Sequence, residues 1–470
     1  KEFNLKLIYI HNEFYSTTNN IYSLDLALKE IIVTDFERLI IAECDLFISQ
    51  EATNSFLKLK EGNFLLASSY QYWMDGSCIN CEKDGTVKRL LNKNEIPSDN
   101  YFGLFKTVNW YSFDKQYVAN KLQPFVSIYN SKISSTSYYE LVIKILLEIS
   151  NEPLKVHLID TKEWFEIDDV SDLHLAECLD NISEGNFDLL VKRYGGFWKF
   201  PWLKDLTLLV NPYFPTNKLK RELSLLIEEK MGDYPSSQNC IAKLASKTLS
   251  VSDKEIIIGN GVCELMMNLL PKIEGKFEIA APFFLEYEAI LGDSLITLDE
   301  TKDFSSLNNL IIVNPNNPDG KVIPVDKIIE IANVLKANKK FLIYDESFSD
   351  FYHDEEISLL DSKRLINNKN IVVLKSFGKT YGIAGLRLGI MASGDTNLIA
   401  KFKNYVPIWN INTPAEIFLD LLPRYKDEYK KSISKISKLA QEFFLKLKII
   451  HNEKIFIYKP TANFLFIKFN

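Results

Sequence analysis

Three short apolar runs constrain this chain more than any other feature, because each ends in residues that a strand does not use. Leu310–Val313, Phe341–Tyr344 and Ile371–Leu374 read as strands, while Leu219–Met231 and Val325–Ala337 carry the period of helices. Strands alternating with helices predict an α/β fold. The first run leads into Asn314-Pro-Asn-Asn-Pro-Asp-Gly320, a turn whose prolines and glycine fix the backbone and aim an asparagine amide. The second ends in Tyr344-Asp-Glu346, with an acid at the strand end, and the third in Ser376-Phe-Gly-Lys379, followed by Gly382, Gly385 and Arg387. Open α/β sheets bind ligands at the carboxyl ends of their strands, so the three segments are expected to share one pocket.

The rest of the chain sets the boundaries of that reading. With 470 residues, 46% of them hydrophobic, two or three domains are expected. Lys6–Ile10, Ile21–Ile31 and Arg38–Ala42 begin an earlier α/β rhythm, a mixed or parallel sheet with covering helices. The pattern weakens between Leu175 and Lys204, where Gly195-Gly196 and the aromatic and basic cluster Phe197–Trp202 suggest a connector. The predicted organisation is a domain over 1–175, a connector over 176–204 and a domain over 205–470. No apolar run approaches the roughly 20 residues that span a bilayer, and no signal-peptide pattern opens the sequence, so a cytoplasmic protein without membrane insertion is expected. The net charge of −7, with cations scattered among acids, speaks against nucleic acid as a partner. Among six cysteines only Cys78 and Cys81 have suggestive spacing, and Asp84-Gly85 beyond them makes a hairpin with two reduced thiols the plainer reading than a metal or redox site.

The pattern N-P-x-N-P-x-G, then an acid, then S-x-x-K with G-x-R-x-G resembles the class I/II aminotransferases, enzymes dependent on pyridoxal phosphate (PLP), over roughly residues 205–470. The resemblance implies a PLP-dependent transferase of fold type I. Lys379 would carry PLP as a Schiff base, and Asp345 would keep the pyridine nitrogen protonated. Asn317 would bond the phenolic oxygen. Ser376, Arg387 and the backbone at Gly261-Val262-Cys263, where a helix is predicted to begin, would hold the phosphate. Phe284, in Ala281-Pro-Phe-Phe, would stack on the ring, and Tyr234 would reach a neighbour's cofactor phosphate, which implies a homodimer. Phe348 stands where these enzymes commonly place a tyrosine, leaving Asn317 as the partner of the phenolic oxygen. Asp-Glu-Ser-Phe, and Arg193-Tyr-Gly-Gly196 shortly before Leu209-Val-Asn-Pro212, are similar to the threonine-phosphate decarboxylases, relatives of the histidinol-phosphate aminotransferases. Loss of carbon dioxide and loss of an α-proton both remain open. The arginine that usually grips the substrate carboxylate is expected beyond Asn470.

In the first domain Asn19-Asn20-Ile-Tyr-Ser23, Glu43-Cys-Asp45, Tyr138-Tyr-Glu140 and Trp164-Phe-Glu-Ile-Asp168 resemble, in order, the sugar-nucleotide-type nucleotidyltransferases, nearest the branch that activates phosphocholine and other small phosphorylated or phosphonylated amines with CTP. The resemblance implies a Rossmann-like domain in which Mg²⁺ on Asp45 and Asp168 neutralises the phosphates as they react. Glu43 and Glu166 are weaker candidates, since alternate strand residues face opposite ways. Asn19, Asn20, Tyr139 and Glu140 would meet nucleotide or substrate, and Trp73 and Asp75 an amine, by cation–π contact and charge. The family's glycine-rich loop is expected before Lys1, so truncation at both ends is the favoured reading.

Together the two resemblances imply a bifunctional enzyme. The PLP domain would decarboxylate an amino-acid phosphate, L-serine phosphate, to ethanolamine phosphate. The first domain would transfer CMP from CTP, giving CDP-ethanolamine or an analogue for capsule or other surface polysaccharide or lipid. The alternatives are an aminotransferase acting on a small phosphorylated or phosphonylated carbonyl compound, and a first domain that only binds.

Overall fold

The strand-like runs pair with one another. A computed structural model of the chain describes residues 7–71, 74–96, 101–183, 185, 187–200, 203–299, 301, 303–450 and 454–469. The chain divides into two units, Lys1–Asp205 and Leu206–Asn470.

In the N-terminal unit the strands are β1 (Arg38–Ala42), β2 (Leu46–Ile48), β3 (Asn63–Ser69), β4 (Cys78–Cys81), β5 (Val87–Leu91), β6 (Leu104–Asp114), β7 (Leu154–Ile159) and β8 (Trp164–Glu166). The main sheet runs β5-β4-β6-β3-β7, with β1 also on β6. β6 organises it. One edge pairs with β3; the other pairs with β4 from Leu104 to Lys106 and with β1 from Trp110 to Asp114. Between those stretches Asn109 has a positive φ of 54°, opposite a register shift in β3 between Leu65 and Ala67. Such an irregularity bends a strand and re-aims its side chains, and it opens a gap along the sheet edge.

Among the described strands of this unit only β3 and β7 pair in parallel. Of the two forms expected, mixed or parallel, the sheet takes the mixed one, and a parallel Rossmann-like sheet is corrected, because β1, β3 and β4 all pair with the central β6 antiparallel. The β4–β5 hairpin adds another antiparallel pair. Asp84 accepts bonds from Thr86 N–H and Oγ1–H at its turn, and burial pushes the Cys78 and Cys81 thiols up to about 11. The run expected at Lys6–Ile10 forms no strand over residues 7–10, where Leu7, Ile8 and Tyr9 are exposed and no strand pairs with them. The stretch read as a connector contains the end of helix Val170–Ser183 and helix Asp188–Lys192. Leu175, Cys178 and Leu179, on one helical face, pack there with Leu190 and Phe200.

The C-terminal unit contains β9 (Ile256–Asn260), β10 (Phe277–Ile279), β11 (Leu295–Thr297), β12 (Asn309–Val313), β13 (Leu342–Asp345), β14 (Ile371–Ser376) and β15 (Leu388–Ala392). They form one sheet in the order β11-β10-β12-β13-β14-β15-β9, in which β15 alone runs against the rest. Successive residues enter different cores. Leu310, Ile312, Leu342, Tyr344, Ile371 and Val373 join one apolar cluster, while Ile311, Val313, Ile343, Val372 and Leu374 join another. Both faces are covered, which is why these strands read as continuous apolar runs rather than as alternating ones. Helices Asn217–Lys230 and Val325–Ala337 occupy the two helical periods, and a small ribbon joins β16 (Ile455–Ile457) to β17 (Ile467–Phe469). No helix among the described residues is long and apolar enough to cross a membrane.

The segment around Asn211 clamps the chain after β14. Asn211 N–H donates to the Lys379 carbonyl (2.9 Å), and its amide donates to the Thr380 carbonyl (2.8 Å) and to Ser432 Oγ (2.9 Å). Gly382 makes the close approach possible, since its φ is +67° and an added Cβ would lie 1.9 Å from the Phe214 carbonyl oxygen. Gly382→Ala is therefore expected to cost about 3 kcal/mol or more, read as a lowered urea midpoint, whereas Gly232→Ala, in open space, changes it by less than about 0.5 kcal/mol.

Candidate active site

In the C-terminal unit, register brings the ends of the central strands level. Val313 pairs with Asp345, Asp345 with Leu374, and Ser376 with Gly389, which pairs in turn with Gly259. Asp345, Ser376 and the chain after Gly259 thus share the carboxyl edge of the parallel strands. Asp345 is buried there with neutral donors only. Tyr287 OH donates to Oδ2 (2.8 Å), and Ser347 donates to Oδ1 from N–H (3.0 Å) and Oγ–H (2.6 Å). Burial raises the affinity of this carboxyl for a proton, and the bonds from Ser347 and Tyr287 work against it. Ser347 Oγ also accepts the N–H of Ser376 (3.0 Å), so the acid positions the start of the turn that carries Lys379.

Lys379 lies in the short helix Phe377–Thr380, half-buried. Burial lowers its ammonium pKa, the Arg387 charge adds to that, and Cys263 opposes it. Arg387 has a positive φ of 59° and forms no ion pair among the described residues. Its guanidinium borders the turn before helix Val262–Leu269; a Cβ on Gly261 would stand 2.7 Å from Nη2. The bare Gly261 leaves a cradle between a cation and a helix N-terminus, a combination suited to an anion. Ser376 Oγ has no hydrogen-bond partner among the described residues, and the half-buried Asn317 amide has none either. Asn314 fixes the turn that presents Asn317, bonding the Ile323 carbonyl (2.8 Å), Ile323 N–H (3.0 Å) and Tyr344 OH (2.8 Å). Asn316 donates to the Pro282 carbonyl (2.9 Å), tying that turn to the segment bearing the part-exposed Phe284. Phe348 is buried edge-on against Phe464, with ring centroids 5.3 Å apart. Tyr234 stands apart, 78% exposed and stacked on Trp409 at 4.4 Å.

The residues present fit PLP. A buried acid without a cation, a half-buried amine and an unpaired guanidinium beside a glycine cradle match a ring nitrogen, an aldehyde and a phosphate. Tyr287 and Ser347 escaped the sequence reading, although Tyr287 follows Phe284 by one helical turn and Ser347 follows Asp345 by two residues. Asn211 escaped it because its partners lie far along the chain.

The N-terminal unit has a cleft of about 1010 Å³ at the gap beside Asn109, and Asn20, Glu43, Asp45, Tyr139, Glu140, Glu166 and Asp168 line it with Asp75 and Lys106. Short pairing between β2 and β8 creates part of this convergence. Ile167 N–H donates to the Asp45 carbonyl (2.8 Å), which places Asp45 beside Asp168 at the end of the ribbon. Asn109 donates to Glu43 Oε2 (2.6 Å), and Asn20 to Oε1 (3.4 Å). Burial raises the affinities of Glu43, Glu140 and Glu166 for protons, and Glu140 Oε2 is buried with no hydrogen-bond partner. Both Glu43 and Glu166 face the cleft. Asn19 does not line it, because its side chain caps helix Asn20–Ile31 by accepting Asn20 N–H (2.7 Å). The charge of Asp75 is taken by Lys93 (2.6 Å), and Trp73 lies outside the described residues. Lys106 was missed, although a lone lysine inside the apolar run of β6 could have marked it. Among the described residues, no three His, Cys, Asp or Glu side chains form a ready metal cage.

Sheet order, strand-end acid and lysine-bearing turn define the C-terminal unit as a PLP-dependent transferase of fold type I. The chain belongs to the aminotransferase class I and II family, whose model matches residues 231–470. It is similar to the CMP-5'-(3-aminopropyl)phosphonate synthase of Streptomyces rubellomurinus, with 25% identity over 480 residues, covering 99% of this chain and 75% of the relative. It is 29% identical to the L-serine phosphate decarboxylase of Sulfurospirillum multivorans over 57% of this chain and 75% of that protein. Over 53% of this chain it is 31% identical to 72% of the histidinol-phosphate aminotransferase of Clostridium novyi. A solved decarboxylase structure from Sulfurospirillum multivorans superposes on 58% of this chain and 76% of that chain, with 27% identity and a TM-score of 0.48. The chain is accordingly a PLP-dependent enzyme of the decarboxylase or aminotransferase kind.

The depressed pKa of Lys379 has a consequence for the cofactor-free protein. The unfolded chain binds a proton at Lys379 up to about pH 10.5 and the folded chain only to a lower pH, so the charge destabilises the fold fully below the folded pKa and not above the unfolded one. Lys379→Met should raise stability near pH 7 by on the order of 1 kcal/mol, modest because the amine is partly exposed, and the gain should shrink as pH approaches 10.5. Urea unfolding at several pH values without PLP measures it.

Proposed function

We propose that the C-terminal unit decarboxylates an amino-acid phosphate, L-serine phosphate in the first instance, and that the N-terminal unit transfers CMP from CTP to the resulting phosphorylated amine. The observation that carries this reading is the similarity of 99% of the chain, across both units, to a synthase named for the CMP ester of an aminoalkyl phosphonate. Similarity to L-serine phosphate decarboxylases from two organisms supports the choice of substrate. Loss of carbon dioxide from L-serine phosphate, with uptake of one proton, gives ethanolamine phosphate, and its CMP derivative is CDP-ethanolamine, a donor suited to decorating surface polysaccharide or lipid.

PLP, when bound, draws electron density from the bonds at the substrate's α-carbon. The chain's own groups make that productive. Arg387, Ser376 and the amides at Val262 and Cys263 hold the phosphate, and Asp345 keeps a proton on the ring nitrogen. Asn317 binds the phenolic oxygen and Phe284 covers the ring. Lys379 Nζ, with its lowered pKa, would be the amine that holds the cofactor and the group that would return a proton to the substrate's α-carbon. Tyr234, standing out from the surface with Trp409, suits a contact with a second copy in a homodimer.

In the N-terminal cleft Asp45 and Asp168 would hold Mg²⁺, which needs only one or two carboxylates when substrate phosphates and water complete its shell. An oxygen of the acceptor phosphate attacks the α-phosphorus of CTP, the bond to the β-phosphate breaks, and pyrophosphate leaves. A second reading of the C-terminal unit, transamination with glutamate, draws on the 31% identity to a histidinol-phosphate aminotransferase. With PLP and L-serine phosphate, phosphorus NMR should show ethanolamine phosphate with matching carbon dioxide release, and a diphosphate diester only after CTP and Mg²⁺ are added. With glutamate and a small phosphorylated carbonyl compound as amino acceptor, release of 2-oxoglutarate while serine phosphate stays untouched would select the transaminase; no pyrophosphate on adding CTP would leave the N-terminal unit as a binding module.

A further inference from the structure

Trp409 holds a backbone conformation that suits glycine or asparagine, not tryptophan. Its φ of 58° lies in the left-handed region, where a bulky side chain is strained. The indole gains little burial in return. It is 49% exposed and stacks on the 78% exposed ring of Tyr234, with centroids 4.4 Å apart and planes inclined by 25°. Strain of this kind persists only where the surroundings enforce it, and the next residue supplies the enforcement. The Asn410 amide donates to the Ile258 carbonyl (3.0 Å) and to Glu264 Oε2 (3.0 Å), and its oxygen accepts from Gln238 Nε2 (3.2 Å).

The segment bearing Tyr234 is fixed on both sides. The Asp233 carbonyl accepts from Thr413 Oγ1 (2.8 Å), and Ser236 N–H donates to Glu416 Oε2 (2.7 Å), both partners lying in helix Thr413–Leu421. Gln238 exchanges bonds with Ile258, donating to its carbonyl and accepting its N–H at 2.7 Å each. The anchors of Trp409 and Tyr234 therefore meet at β9, just before the Gly261 cradle. Neither ring joins an apolar core cluster, and Met231 and Ile408, on the same two segments, are exposed as well. The Tyr234 hydroxyl has no hydrogen-bond partner among the described residues. Two stacked rings held firmly and left in water serve no core of this chain.

We propose that Trp409 is a positioning residue whose ring aims the Tyr234 hydroxyl into the phosphate cradle of a second copy of this chain. The assignment rests on the reading that Tyr234 serves a homodimer, and goes beyond it by naming what fixes the tyrosine. A lone exposed tyrosine samples its rotamers, and ordering it costs free energy when its hydroxyl bonds a phosphate. A ring already stacked has lost that freedom before the contact forms. Because Asn410 also reaches Glu264, which accepts the Asn260 N–H (2.6 Å) beside the cradle of its own copy, the competing account is that Trp409 supports its own site.

The test measures PLP affinity of the full chain, through the visible absorption that PLP gains on joining Lys379, together with urea unfolding and sedimentation. Tyr234→Phe should weaken PLP binding by about tenfold, as loss of one hydrogen bond to a charged group does. Trp409→Gly should weaken it by about threefold to tenfold, yet keep the urea midpoint near that of the wild type, since glycine adopts this φ without strain. Trp409→Phe, which retains a ring, should recover most of the loss, and in a Tyr234→Phe background Trp409→Gly should add nothing. A hybrid dimer of one wild-type copy and one copy carrying both Trp409→Gly and Lys379→Ala has a single competent lysine, that of the wild-type copy. Its PLP affinity should fall to that of Trp409→Gly, because the tyrosine its cradle meets comes from the altered copy. Wild-type affinity in that hybrid, or in Trp409→Gly itself while Tyr234→Phe is weakened, overturns the assignment and leaves the role of Tyr234 intact. A monomeric wild type, or a Tyr234→Phe chain that binds PLP as tightly as the wild type, removes the underlying reading and the assignment with it. Should Trp409→Gly fail to fold, Trp409→Asn, which also tolerates the left-handed region, takes its place.

Discussion

Placing a carboxylate at the end of a central strand, out of water, costs several kcal/mol unless donors or a cation compensate. At Asp345 the donors are Tyr287 and Ser347, all neutral, and the geometry of the C-terminal unit follows from supplying them. Tyr287 comes from the helix after β10, and Ser347 from the turn after β13 itself. Because Ser347 Oγ both donates to the acid and accepts from Ser376 N–H, the same hydroxyl fixes the first residue of the lysine-bearing turn. Asn211 then holds the other end of that turn through the Lys379 and Thr380 carbonyls. The backbone around Lys379 is thus set from two sides before any ligand arrives, which is what preorganisation of a reacting group requires.

The charges near this edge fall into two sets with different work. Lys375 is buried and compensated: Asp350 lies 2.6 Å away, Glu346 3.5 Å away, and Tyr429 hydrogen-bonds Asp350. These neighbours hold the Lys375 ammonium well above the usual lysine range, so it stays charged and structural. Lys379, four residues later, has no carboxylate partner among the described residues, and the charge of Arg387 adds to burial in lowering its pKa. One lysine is satisfied by the protein and the other is left for chemistry. The same contrast separates Glu346, which has the Lys375 ammonium 3.5 Å away besides bonds from Ser358 and Leu359 N–H, from its neighbour Asp345, whose hydrogen-bond donors are all neutral.

How much of this was legible depended on where the information lay along the chain. The placement of residues that follow apolar runs, such as Asp345 and Ser376, at one edge of the sheet could be read because strand ends converge by topology. Asn211, Tyr287 and Lys106 act through contacts across long sequence separations, which periodicity does not encode. The segment over 176–204 misled because its glycines and polar residues weakened the pattern, although Leu175, Cys178, Leu179 and Ile182 keep a helical spacing. Lys6–Ile10 misled in the other direction, since an apolar run becomes a strand only where a neighbour supplies its hydrogen bonds. Asn19 shows a different confusion: an asparagine before a helix serves equally well as ligand or cap, and here the cap geometry uses its oxygen.

If the N-terminal cleft takes the divalent ion that the proposed cytidylyl transfer requires, its ligands follow by elimination among the carboxylates. Glu43 has both oxygens engaged by asparagine amides, and Glu166 faces the Lys106 ammonium. A carboxylate already held by donors must give them up before it can bind an ion, at the expense of the bonds that fix it. Glu140 retains a buried oxygen without a partner, yet it opens helix Glu140–Ile149 and its neutral form is favoured by burial. Asp45 and Asp168 have neither a side-chain hydrogen bond nor an ion pair among the described residues, and the β2–β8 ribbon sets them side by side. They are the carboxylates a divalent ion can take without dismantling anything. The glutamates around them, crowded and reluctant to ionise, would gain from such an ion as neighbours, because a positive charge in the cleft would lower the free energy of every carboxylate that lines it.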